Sequence, residues 1–100
     1  MGLLTTKQAE RVRFCLKLLE LKGVNLNEPY TKALKGTDIR ELRPKASGSV
    51  LRVFYRFDPE RNAVILLGGD KKGKHEKAFY KTNIKKAEAL YQRYLAGQDV

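Results

Sequence analysis

Between Gly68 and Lys77 the chain reads GGDKKGKHEK, and these ten residues concentrate groups able to act on a phosphate. Gly68 to Lys74 satisfies the G-x-x-x-x-G-K spacing of a phosphate-cradling loop, but His75 stands where a hydroxyl must ligate magnesium. Such a loop also needs a parallel sheet and a helix opening directly behind the lysine. Here the strands look hairpin-like and the next helix is expected near Thr82, so nucleotide hydrolysis is set aside. The glycines read instead as letting a strand end lie close to another backbone or a substrate.

His75 is the only imidazole, so a two-histidine ribonuclease mechanism is impossible. One Cys and one His build neither a disulfide nor a four-ligand zinc site, and no metal or other cofactor is expected. Cys15 falls on the apolar stripe of a helix and reads as a small buried hydrophobe. Asp58 with Glu60 and Asp70 with Glu76 form no paired-carboxylate constellation. Arg52 and Arg56 differ, because they alternate with Phe54 on one face of what should be a central strand. An arginine there needs an acidic partner, for which Glu41 is available, or a bound phosphate. The residues weigh the two equally, and Arg43, sharing a strand face with Glu41, poses the same choice. Phe79 and Tyr80 follow the lysine loop. Aromatics among cations suit base stacking, although one of two neighbouring aromatics entering a helix is expected in the core.

Charge points the same way. The 100 residues carry 21 Lys and Arg against 11 Asp and Glu, a formal charge of +10. A polyanionic partner follows, nucleic acid before an anionic membrane surface. Seven lysines against one glutamate lie between Lys71 and Lys86, so the charge is locally concentrated. A single domain, 1–100, in a reducing cytoplasm is expected, since no apolar run approaches a membrane span.

The elements that must position these residues follow from periodicity. Thr5 and Gln8 form a capping box before Ala9, Val12, Cys15, Leu16 and Leu19, an amphipathic helix ending at Gly23. Asn27-Glu28-Pro29 followed by Tyr30, Ala33 and Leu34 predicts a second, two-turn helix to Gly36. Ile39 to Arg43 alternates as a short edge strand, Val50 to Phe57 as a longer one, and Ala63 to Leu67 as a third. Asp58 to Asn62 is the hairpin loop. A last helix carries Ile84, Ala87, Leu90, Tyr91, Tyr94 and Leu95. The predicted order is ααβββα, an α+β fold.

The succession Leu34-Lys35-Gly36, Ile39-Arg40-Glu41-Leu42-Arg43, Leu51-Arg52-Val53-Phe54-Tyr55, the run VILLGGDKK from Val64 to Lys72, and Phe79-Tyr80 before the final helix resembles the RelE/ParE superfamily of toxin–antitoxin toxins, in its HigB-like, phage-derived branch. The resemblance covers nearly the whole chain. It implies a RelE-like α+β fold with two N-terminal helices, a three- to four-stranded antiparallel sheet and a C-terminal helix. It also implies a neighbouring antitoxin, often a helix-turn-helix protein, and cleavage of mRNA on the translating ribosome. Metal-free RNA cleavage needs a base for the 2′-OH, cations for the phosphorane and an acid for the departing 5′-oxygen. Lysines and arginines can fill all three roles where crowding of like charge lowers a lysine pKa, as this loop could. By resemblance Arg52 matches the arginine that holds the scissile phosphate, Lys74 falls near the basic residue before the terminal aromatic, Tyr80 matches that aromatic, and Lys71 and Lys72 match a lysine pair. His75 is a further candidate for proton transfer, and Arg43, Arg56, Lys77 and Phe79 for nucleic-acid contact. The branch often has Trp-Tyr where this chain has Phe79-Tyr80. ParE-like relatives poison DNA gyrase instead, so a non-catalytic gyrase inhibitor or RNA binder of the same fold is the alternative.

Overall fold

The structure, a computed structural model, describes residues 4–46 and 50–97. Helix α1 spans Thr6–Lys22. The Gln8 amide donates to Thr5 Oγ1 at 3.1 Å and the Thr5 amide to Gln8 Oε1 at 2.9 Å, the expected capping box. Gly23 ends the helix at φ +53°, a conformation open to glycine, and a single 3-10 turn follows over Gly23–Asn25.

Four strands form one antiparallel sheet in chain order: β1 Thr31–Ala33, β2 Arg40–Leu42, β3 Leu51–Phe57 and β4 Ala63–Asp70. Asp58 fastens the hairpin between β3 and β4, its Oδ1 accepting from the amides of Glu60 at 2.9 Å and Asn62 at 2.8 Å. Helix α2, Glu76–Leu95, closes the chain. The two helices cover opposite faces of β3, which explains why its alternating residues are all apolar or paired. Val53 and Tyr55 pack with Cys15 and Leu19 of α1, whereas Phe54 packs with Phe79, Ala87 and Tyr91 of α2. Among the described residues no helix is long and apolar enough to cross a membrane.

The observed fold is α+β, with three departures from expectation. No second N-terminal helix forms, because β1 occupies that stretch. Thr31 is fully buried, donating from Oγ1 to the Glu41 carbonyl at 2.9 Å and sharing a hydrogen bond with the Tyr55 hydroxyl. A two-turn helix is marginal alone and loses to that pairing. The strand predicted at Ile39 to Arg43 is consequently interior, flanked by β1 and β3, rather than an edge. Finally, α2 opens at Glu76 instead of near Thr82, directly behind β4 and the lysine turn. Phe79 thereby reaches the core, lying against Gly69, where a Cβ would meet its ring at 3.3 Å. The close approach expected of the glycines is therefore to this ring.

Candidate functional site

The pleat of the sheet determines which charged side chains meet. Glu41 lies opposite Phe54 in the register of β2 with β3, and Arg52 is two residues before Phe54, hence on the same face. Arg43 follows Glu41 by two residues and shares its side. Tyr80, in the second turn of α2, closes over them, its hydroxyl donating to Glu41 Oε2 at 2.7 Å. Arg52 Nε lies 3.6 Å from Glu41 Oε2 and Arg43 Nε 3.7 Å from Glu41 Oε1.

Burial makes this arrangement costly unless each charge is answered. Glu41 is 2% exposed and Arg52 8%. Two guanidinium groups face one carboxylate, so the trio keeps one positive charge unneutralised. Arg52 Nη1 donates to the Leu51 carbonyl at 2.8 Å, but among the described residues its buried Nε has no hydrogen-bond partner. An unmet N–H of that kind costs about 1–3 kcal/mol.

Lys71 completes the group. Its Nζ sits 5.2 Å from the Tyr80 ring centre and 2.9 Å from Glu76 Oε1. Burial, reinforced by the bond to Glu41, raises the Tyr80 pKa, so the phenol keeps its proton. The hydrogen bond to Glu76 raises the Lys71 pKa, and that same bond lowers the pKa of Glu76. Like-charge crowding was expected to lower a lysine pKa in this loop; at Lys71 the carboxylate of Glu76 overrides it.

Glu41, Tyr80 and Lys71 open into a cleft of about 460 Å³ that Arg43 also lines. Arg43 forms the wall shared with a second depression of about 540 Å³, onto which Arg52 opens. Among the residues expected at a site, the structure thus brings together Arg52, Tyr80, Arg43 and Lys71. It does not bring Lys74 and His75 to them. Those two, with Lys72, line a separate groove on the other side of α2. Lys77 is exposed on α2 and lines neither groove. Phe79 is buried against Phe54, so of the two adjacent aromatics it is the core one. Arg56 is held at 3.3 Å from Asp38 and 3.4 Å from Glu88, over the Tyr91 ring at 4.3 Å. That is internal pairing.

Glu41 is the residue that sequence reasoning treated only as a counter-ion. Its signal was present, since a carboxylate within a short strand, on the face it shares with the arginine of the next strand, is expensive to bury without a partner.

Comparison with known proteins agrees with the resemblance noted above. The family model described as "Phage derived protein Gp49-like" matches residues 3–92. A Mycobacterium tuberculosis protein named "Putative toxin HigB3" is 36% identical over 86 residues, covering 83% of this chain and 73% of that protein. A second from the same organism, named "Putative toxin HigB2", is 33% identical over 91 residues, 87% of this chain but 45% of the relative. No solved structure matches with significance. With a family match over almost its full length and relatives of that name on either side of one-third identity, the chain belongs to the phage-derived Gp49-like family, the HigB-like toxins.

Proposed function

We propose that this protein is the toxin of a toxin–antitoxin pair and that it cuts messenger RNA on the translating ribosome, using Glu41 as the base. The observation that carries this reading is one buried carboxylate, held by Arg52, Arg43 and Tyr80, that lines an open cleft. A carboxylate so placed takes the proton of a ribose 2′-OH, and the 2′-oxygen attacks the neighbouring phosphorus. Arg52 and Arg43, carrying one more charge than Glu41 neutralises, attract the phosphate and stabilise the charge that builds on its oxygens. The bond to the 5′-oxygen breaks as that oxygen takes a proton. Tyr80, which keeps its proton, is the donor in the cleft, and Lys71 adds a fixed positive charge beside it. The products are a 2′,3′-cyclic phosphate and a free 5′-hydroxyl. The partners of this reading are the ribosome, its mRNA and a cognate antitoxin that neutralises the chain.

The test is expression with and without the neighbouring gene, followed by mapping of RNA 5′ ends. Cuts confined to translated frames, absent with Glu41→Gln, are expected. DNA-damage signalling with intact mRNA would refute the reading and favour gyrase.

A further inference from the structure

The first turns of α2 divide two basic surfaces. Glu76, Tyr80 and Ile84, spaced by four, line the Glu41 cleft; His75, Phe79, Thr82 and Lys86 line the other groove, of about 680 Å³. Their cations differ in how they meet the carboxylates. Immediately around Glu41 the cations are engaged, Arg43 and Arg52 with Glu41 and Lys71 with Glu76, while Lys32 and Lys35, which also line that cleft, are exposed and form no ion pair among the described residues. In the other groove Lys72, Lys74 and Lys86 are exposed, and among the described residues none of them forms an ion pair. The groove's one carboxylate, Asp70, accepts the Lys72 amide at 2.9 Å and leaves a net positive lining.

We propose that this second groove grips the RNA itself, holding the backbone of nucleotides that flank the one engaged at Glu41. The inference rests on the RNA reading of the Glu41 cleft. A phosphate that reaches Glu41 must compete with Glu41 and Glu76 for the cations beside it, whereas no carboxylate pairs with Lys72, Lys74 or Lys86 among the described residues, and a phosphate they meet is bound with counterion release undiminished. Ala78 in the groove lining carries only a methyl group, so a backbone can lie close there. The volume is within the usual range for ligand clefts of roughly 300–1,000 Å³. Affinity and turnover then reside on different residues, with affinity indifferent to base sequence.

The experiment measures anisotropy of a short, labelled single-stranded RNA, 2′-O-methylated so that it cannot be cut, across a salt series. The full chain is compared with a Lys72→Ala/Lys74→Ala/Lys86→Ala variant, with the corresponding Lys→Arg variant, and with Lys7→Ala/Arg13→Ala/Lys22→Ala, which removes equal charge from α1. Each phosphate contact to a single strand contributes about 0.7 to the log–log salt slope, so the groove variant should lose about 2 from it and bind at least about tenfold more weakly. The Lys→Arg and α1 variants should keep the original slope. Equal losses from both alanine triples, or an unchanged slope in the groove variant, would overturn the inference while leaving the Glu41 reading intact. Competition by polyglutamate as strong as that by RNA would assign the groove to an acidic protein instead. If the unaltered chain shows no salt-dependent RNA binding, the inference falls, while the Glu41 reading stands or falls on the mapping of RNA 5′ ends.

Discussion

Replacing Glu41 with Gln separates the structural role of this carboxylate from the catalytic one proposed for it. The amide keeps an oxygen to accept from the Tyr80 hydroxyl, but the negative charge disappears. Arg52, 8% exposed, then carries its charge with the Leu51 carbonyl as its remaining acceptor. Breaking a buried pair in this way costs about 3–5 kcal/mol. The Arg43 side chain is 35% exposed and stays solvated, so the lower end applies. For a domain of this size about 3 kcal/mol lowers Tm by roughly 12–24 °C. Removing the second charge as well, in Glu41→Gln/Arg52→Met, should recover most of that loss, since an uncharged pair leaves no uncompensated ion. Cleavage behaves differently. Loss of the base should slow it by about 10²–10⁴, and the double variant should be no faster because the phosphate clamp has gone too. Thermal unfolding followed by circular dichroism gives the first quantity. Cleavage of mRNA in a reconstituted translation mixture, at a temperature where every variant is folded, gives the second. Recovery of both stability and cleavage in the double variant would make the charges merely structural and refute the proposed chemistry, as would wild-type cleavage by folded Glu41→Gln.

Gly69→Ala should destabilise by about 1–3 kcal/mol, seen in denaturant melts, because the new methyl lies 3.3 Å from a Phe79 ring that Phe54 holds in place. Arg56→Ala should cost about 1 kcal/mol of stability from its stacking on Tyr91 and its partly screened ion pairs, with cleavage unchanged. Tyr80→Phe should lower the cleavage rate by more than tenfold while its protein stays folded, the difference being read in single turnovers. Because the Tyr80 pKa is raised, first by burial and then by Glu41, the stability it contributes is complete below the ordinary phenol value and is lost as pH rises through the higher folded value. The wild-type rate should therefore show no decline attributable to this group between pH 7 and about pH 10; a loss of the Tyr80-dependent part of the rate near neutrality would contradict the assignment.

The parts of the fold readable from sequence are those whose cause is local. Thr5 and Gln8 find each other three residues apart. The alternation through Leu51–Phe57 is a strand whatever its neighbours, and Asp58 ties its own turn. The stretch after Asn27 failed for the opposite reason. A cap, a proline and three apolar residues are adequate local signals for a short helix, and only contacts distant in sequence, Thr31 with the Glu41 carbonyl and with Tyr55, make it a strand instead. No periodicity within ten residues contains that information.

The candidate site divides along the same line. Period-two alternation was enough to put Glu41, Arg43 and Arg52 within reach of one another, and it left open whether they pair; they do. The side of α2 taken by each residue of the lysine turn depends instead on the residue at which that helix begins. Were it to open at Thr82, Lys74 and His75 would remain on a loop free to swing toward Arg52. Opening at Glu76 fixes the phase: Tyr80 falls over Glu41, Phe79 falls onto Gly69, and Lys74 and His75 go with Phe79. The start is itself decided by the core, because Phe79 meets Phe54 only from a helix already formed. A buried ring thus assigns a surface lysine to one groove rather than the other, and with it, under the proposed chemistry, the choice between touching the scissile phosphate and holding the chain beside it.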